Sequence, residues 1–410
     1  MILECFKNKK FRTLWSAGCM TGVARAMEFL ALSLFILEDI GIEFLITIVF
    51  AIRMLPMSLL GIFIGSISEK INPSNVVKFL YICSTIVSFV CWVLTVNDSF
   101  NIYFAFIFAF TNGTTWVVDL AVRRRIITEN IEEKFLSTSL AMETLSNNAT
   151  RLIGPLITGF LYILIGLEGL FLILFILYLN ALILIIFFQN NSKNIQLNSF
   201  NNFSLYSEFT GSIDNIKKTV VHGFKETKLR LLLIVTLIFN IFGFPLISLV
   251  PVFGKNNLNL NEFDIGILTS SEGLGALIGS LIIAKISPQK YLSTLFLIGC
   301  IGFFIGMISF SICPNLFSAF FCLTFGGTFL SGFSTMQGAL TYRSAEKGSR
   351  GYNFGILVTC IGLAPLGLIY LSFLITKFPV EYLIQVNSLI ALMLLLSISY
   401  LIYKKYFITF

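Results

Sequence analysis

Charge is scarce in this chain. Asp, Glu, Lys and Arg make up 12% of its 410 residues, about half of the ~25% usual in soluble domains, which excludes a solvated globular surface over most of its length. Histidine is nearly absent: the single His222 lies in a polar stretch, and one loop histidine cannot make a zinc site. The eight cysteines (Cys5, Cys19, Cys83, Cys91, Cys300, Cys313, Cys322 and Cys360) form no CxxC pair and have no histidine nearby. They read as buried packing residues, not as metal or redox groups. No GxxxxGK[ST] phosphate loop, nucleophile elbow or cofactor fingerprint occurs. These absences predict no enzyme, no metal and no cofactor, and any work the chain does must draw on an ion or substrate gradient. A cleavable leader is also missing by pattern. The first apolar run follows Lys7, Lys9, Lys10 and Arg12, but it carries charges and lacks a small-residue cleavage site, so it reads as a first span.

What the chain has is apolar length. Hydrophobic residues make up 56% of it, and runs such as Leu170–Phe188 and Leu231–Phe253 are long enough to cross about 30 Å of hydrocarbon at about 1.5 Å per residue. A β-barrel would alternate in roughly ten-residue segments instead. The expected fold is all-α and membrane-integral, with twelve spans near 14–37, 44–67, 76–96, 101–121, 137–165, 169–188, 231–253, 263–284, 291–312, 315–341, 352–375 and 381–403. The loops on one side (38–43, 97–100, 166–168, 254–262, 313–314 and 376–380) hold just Lys255 and Lys377 of the 28 Lys and Arg. By the positive-inside rule both termini are cytoplasmic, and the net charge of +7 reflects topology, not nucleic-acid binding.

The spans divide into a six-helix bundle over 1–189, a cytoplasmic linker over 190–230 and a second bundle over 231–410. A short amphipathic helix around 213–228 in the linker would bring basic residues to anionic membrane lipid. The halves repeat one another. Gly61-Ile-Phe-Ile-Gly65 precedes Lys70-Ile71-Asn72-Pro73, and Gly275-Ala-Leu-Ile-Gly279 precedes Lys285-Ile286-Ser287-Pro288. This is the signature of a parallel repeat about an axis along the membrane normal.

Six ionisable side chains fall inside the apolar runs of the first half: Arg25, Glu28, Arg53, Asp119, Glu143 and Arg151. The second half offers Glu272. Each costs about 2.5–3.5 kcal/mol at the centre of a bilayer helix unless it is paired or wet, so these groups are the default functional site. Glu143, Asn147 and Arg151 recur every four residues and share one helix face, which either lines a cavity or bridges neighbouring helices. Gly154 and Pro155 follow, a kink with room for close packing. Arg25 and Glu28, three residues apart, face the same way. Arg123, Arg124 and Arg125 sit at the inner mouth, where positive charge anchors topology or serves a gate. Glu272 either pairs across the halves or faces water, and Asn240 and Gln337 are the hydrogen-bonding candidates of the second half.

Several stretches carry a family resemblance: Arg25-Ala-Met-Glu28-Phe-Leu-Ala-Leu, Arg53-Met-Leu-Pro56-Met-Ser-Leu-Leu-Gly61, Asp119-Leu-Ala-Val-Arg123-Arg124, Asn148-Ala-Thr-Arg151-Leu-Ile-Gly154-Pro155, Asn240-Ile-Phe-Gly-Phe-Pro245 and Glu272-Gly-Leu-Gly275. The whole chain resembles a drug- and metabolite-exporting member of the major facilitator superfamily. It is most similar to the bacterial branch containing enterobactin-exporter-like proteins. The family's gate motif between spans two and three survives in part as Gly65-Ser-Ile-Ser-Glu69-Lys70, without its trailing basic pair, and Gly154-Pro155 looks like the family's antiporter motif. The resemblance implies two six-helix bundles rocking about a central site. It also implies a monomer in the bacterial inner membrane that exports a small organic compound against inward proton flow. Glu28, Asp119 or Glu143 would then carry the proton, and Arg25, Arg53 and Arg151 would tune them or hold an anionic substrate group. A lysophospholipid flippase-like transporter, or a non-transporting receptor or assembly protein, are the alternatives.

Overall fold

A computed structural model describes residues 6–70, 72–131, 133–190, 227–286, 292–343 and 350–406, which are helices joined by short turns, with no strand among them. Twelve membrane-length stretches follow one another. They are α1 (Lys9–Phe35, continued by a π-helical turn Ile36–Ile40), α2 (Phe44–Lys70), α3 (Pro73–Val96) and α4, which runs from Ile102–Val118 through a π-helical segment Asp119–Arg123 into Arg124–Asn130. The helix Glu133–Asn190 breaks at Gly166 (φ 63°), giving α5 (133–165) and α6 (167–190). Then come α7 (Thr227–Ile238, extended by π and 3₁₀ turns and a last helical piece to Asn256), α8 (Glu262–Ile286), α9 (Leu292–Ser311), α10 (Leu316–Arg343), α11 (Arg350–Ile361 and Ala364–Ile375) and α12 (Val380–Tyr406). The expected twelve-span all-α fold is the observed one. Most of the linker expected over 190–230, with His222, lies outside the described residues.

Local sequence sets the helix starts. Asn8 Oδ1 accepts from the backbone N–H groups of Lys10 and Phe11 at α1. Asn72 does the same for Ser74 ahead of Pro73 in α3, and Asn101 for Tyr103 in α4. Each supplies an oxygen to donors that have no partner within the helix. Beyond the caps, large apolar side chains cover the exterior as well as the interior. Phe79, Tyr103, Ile312, Phe317, Phe373 and Met393 are more than 60% exposed, an apolar exterior suited to lipid.

Because twelve crossings are even in number, Lys9 and Tyr406 lie at the same end of the bundle, called here the terminal end. The first six and last six helices meet mainly from mid-membrane to the opposite, far end. Phe160 of α5 packs on Phe263 of α8 with centroids 6.1 Å apart, and Phe50 of α2 on Phe244 at 6.1 Å. Lys255 Nζ stands 2.6 Å from Glu38 Oε1, and Asn256 donates to Glu43. The tightest seam is α5 on α8, where a Cβ on Gly159 would lie 2.6 Å from the Glu262 carbonyl oxygen and 3.0 Å from Gly266 Cα. Such backbone approach admits no side chain. Gly159→Val is therefore expected to hold α5 and α8 apart at the far end. With the native cysteines replaced, maleimide labelling of Phe263→Cys should rise severalfold in that variant, and unchanged labelling contradicts this seam.

Candidate functional site

The buried charges sort into two centres along one face of α1, where Thr21, Arg25 and Glu28 recur at helical spacing. The first is built on Asp119, at the start of the π-helical segment of α4. Thr21 of α1 donates to its Oδ2 at 2.8 Å, and Tyr81 of α3 to its Oδ1 at 2.8 Å. Arg123 Nε donates to Oδ1 at 3.2 Å, and Arg25 Nη1 stands 3.8 Å from Oδ2. Arg123 turns its Nη1 to Glu143 Oε1 of α5 at 2.8 Å. Arg25 Nη2 donates to Asn147 Oδ1 at 3.2 Å. Asp119, Arg123 and Glu143 are all buried. A cavity of about 350 Å³, including space open to solvent, is lined by Gly18, Arg25, Trp116, Asp119, Leu120, Arg123, Glu143, Ser146 and Asn147, all from α1, α4 and α5.

Here the structure corrects the reading of the basic run. Arg123 is not a mouth anchor: it points inward, 7% exposed, between two carboxylates. Gly18 makes the room, since a Cβ there would fall on the Arg123 guanidinium. A run of three arginines at a helix end looks like topology, and nothing in the local pattern marks one of them as buried.

The second centre is Glu28 with Arg53. Arg53 Nε stands 3.5 Å from Glu28 Oε2, while Arg53 Nη2 donates to the Arg25 carbonyl at 2.9 Å, so the backbone of α1 ties the two centres together. Glu28 has 0% exposure, yet neither of its oxygens has a hydrogen-bond partner within the protein, nor do Arg53 Nε, both side-chain polar atoms of Asn112, or Trp116 Nε1. Native interiors leave few such atoms unsatisfied, and those left usually mark water, a ligand or a catalytic role. Trp116 touches both centres, its ring 5.6 Å from the Arg25 guanidinium carbon and 5.9 Å from that of Arg53, so one aromatic ring serves two cations. A cavity of about 210 Å³, including space open to solvent, lies beside this centre and is lined by Glu28, Phe29, Leu32, Ser33 and Ile36 of α1 and Ile46, Val49, Phe50 and Arg53 of α2.

The face Glu143–Asn147–Arg151 thus meets three partners in three directions: Arg123, Arg25 and, across the halves, Glu272 of α8, whose Oε1 lies 2.5 Å from Arg151 Nη2. Counting Arg123 and Glu272, four cations face four anions. One turn on from Arg151, Gly154 lies against Ala26 and Met27 of α1, and the carbonyl of Pro155 faces Gly266 of α8. Asn240 and Gln337 meet elsewhere, at Thr236 of α7. Gln337 Nε2 donates to its hydroxyl at 2.9 Å, and Asn240 Nδ2 to its carbonyl at 2.8 Å. Neither lines the two cavities above. Gly65, Glu69 and Lys70 end α2, and their side chains lie outside the described residues.

Thr21, Tyr81, Asn112 and Trp116 join the site without having been singled out from sequence. Neutral polar and aromatic residues recur throughout membrane helices, and only their three-dimensional partners distinguish these.

The Major Facilitator Superfamily sequence profile matches residues 14–366. The staphyloferrin A transporter of Staphylococcus aureus (strain NCTC 8325 / PS 47) is 22% identical over 323 residues, covering 78% of each chain. Among solved structures, a POT family transporter in complex with 5-aminolevulinic acid aligns with TM-score 0.75 at 12% identity, covering 96% of this chain and 95% of that one. A bacterial homologue of the iron transporter ferroportin, in an inward-facing state, aligns with TM-score 0.68 at 14% identity, covering 95% of this chain and 98% of its own. At these identities the structural likeness establishes the fold.

Proposed function

Since the chain belongs to the Major Facilitator Superfamily, we propose that it is a proton-coupled exporter of a small organic compound, working by alternating access of its first and last six helices. Membrane transport follows from the family; the direction, the coupling and the substrate class are our reading. The observation that carries it is the contrast between two buried carboxylates. Asp119 is held by two hydroxyls and two guanidinium groups. Glu28 has one cation at 3.5 Å and the Asn112 amide beside it, with no hydrogen bond of ordinary length. A fully partnered anion is a fixed counter-charge, whereas a bare one is the group the protein stabilises least as a charge. We assign Glu28 as the proton carrier and Asp119, with Arg123 and Glu143, as the frame that holds α1, α3, α4 and α5 around it.

The substrate then lies in the cavity beside Arg25, Asn147 and Trp116. Guanidinium, amide and aromatic faces there suit a polar organic molecule bearing an anionic group. The scarcity of Lys and Arg in the far-end loops supports a cytoplasmic terminal end, in the inner membrane of a bacterium. The contacts from mid-membrane to the far end support a form closed toward the outside. The enterobactin-exporter-like motifs support export of a metabolite. From the S. aureus relative we carry over that it moves a solute, not which one.

The test is transport profiling. Cells overproducing the chain are loaded with a panel of small organic anions, with and without a protonophore. Retention of at least one compound is expected to fall, and the protonophore should restore it. Uptake in place of loss overturns the direction, and loss indifferent to the protonophore overturns the coupling.

A further inference from the structure

From the sequence, the cysteines read as packing residues, and Cys313 and Cys322 are packed so, but against each other. Cys313 lies in the turn between α9 and α10, and Cys322 in the second turn of α10, nine residues on. Their sulfurs are 3.5 Å apart, which is van der Waals contact. A disulfide needs about 2.0 Å, so each sulfur would move by about 0.8 Å. Cys313 Sγ also donates to the Ser309 carbonyl at 3.2 Å, a bond that closure would release.

The hairpin that holds them is rigid. The Cys313 backbone N–H donates to the Phe310 carbonyl at 3.1 Å, and Asn315 caps α10 by accepting from the Ser318 N–H at 3.0 Å. Below the turn the two helices touch backbone to backbone: a Cβ on Gly306 would lie 2.8 Å from Gly326 Cα and 3.1 Å from the Cys322 carbonyl oxygen. The sulfurs therefore cannot drift apart without unpacking this seam. Cys322 is half-buried and Cys313 is 9% exposed, so a small oxidant meets Cys322 first. The remaining cysteines with described surroundings (Cys19, Cys83, Cys91, Cys300 and Cys360) have no comparable sulfur neighbour among the hydrogen-bonded contacts.

We infer that Cys313 and Cys322 are an oxidisable pair that closes into a disulfide across the α9–α10 hairpin at the far end of the molecule. With a small-molecule disulfide as oxidant the step balances. The thiolate of one cysteine attacks the oxidant and releases one small thiol. The second cysteine, as thiolate, then attacks the mixed disulfide and releases the other, so two Cys–SH and one R–S–S–R give one Cys–S–S–Cys and two R–SH. Disulfides persist in oxidising compartments, and the proposed orientation puts this end outside the cell. That is the single point at which the inference leans on the previous section. α9 and α10 belong to the same six-helix half and pack on each other, so the bond would clip one half without tying it to the other.

The full-length chain in membrane vesicles is treated with glutathione disulfide, denatured, and its free thiols counted by maleimide mass shift. The expected result is loss of two thiols together, a proteolytic fragment linking residues 313 and 322, reversal by dithiothreitol, and transport within about twofold of the untreated protein. Cys313→Ser should leave Cys322 as an unresolved mixed disulfide, and the Cys313→Ser/Cys322→Ser double variant, which lacks both sulfurs, should show no loss among its remaining thiols. Retention of both thiols in the wild type, or capture of each by glutathione without internal closure, overturns the pair. A more than tenfold loss of transport on closure overturns its confinement to one half. Applying the oxidant to intact cells separates this claim from the orientation: closure that needs permeabilised membranes places this end inside and contradicts the proposed topology while the pair stands.

Discussion

Arg123→Ala is expected to be the most damaging single substitution in the chain. It strips Asp119 of its nearest cation and Glu143 of its 2.8 Å partner in one change, and both carboxylates stay buried. Breaking a buried pair by removing one member costs about 3–5 kcal/mol, because the remaining charge is left uncompensated, and here two are left. Thr21 and Tyr81 still donate to Asp119, but no other described residue pairs with Glu143. The purified variant should aggregate or melt well below the wild type, and Arg123→Ala/Glu143→Gln should recover part of the loss by removing the orphaned charge. A surface anchor would behave differently: its removal would leave melting unchanged and act, at most, on topology.

Glu28→Gln carries the second large effect, and it acts on function and not on folding. Glutamine keeps the shape of the side chain and cannot ionise. Glu28 makes no hydrogen bond that the amide would lose, although Arg53 loses its counter-charge. In proteoliposomes, transport driven by a pH gradient should fall to background, while exchange of substrate for substrate, which needs no net proton movement, continues. Asp119→Asn should do the reverse. Its four partners are there to hold a charge, so its neutralisation should lower stability before it uncouples transport. Loss of exchange in Glu28→Gln at normal stability would place Glu28 in substrate binding instead.

How much of this could be read from the sequence depended on how local each signal was. The twelve helices were legible because each is a continuous apolar run bounded by its own polar residues or caps. The break between α5 and α6 shows as Gly166 and the polar Glu168 that follows. The six intramembrane charges were legible because a charge in such a run is conspicuous. Their pairing was not, since it depends on which helices become neighbours. Glu143, Asn147 and Arg151 share a face, as four-residue spacing requires, yet that face meets α1, α4 and α8 at three different points. Arg123 was misplaced because its neighbours Arg124 and Arg125 make a helix end look like a topology signal. It took the π-helical turn of α4 and the missing side chain at Gly18 to bring it inside. The Cys313–Cys322 contact escaped for the same reason: a spacing of nine residues means nothing until the chain turns at residues 312–315.

Proton coupling in this transporter requires a proton to move through Glu28. The direct measurement is proton flux itself: proteoliposomes enclosing a pH-sensitive dye, given a substrate gradient and no imposed pH difference. The account predicts that a substrate identified by profiling drives a change in internal pH with the wild-type chain, that the change vanishes in Glu28→Gln, and that substrate exchange persists there. An undiminished pH change in Glu28→Gln, with substrate still moving, would contradict it.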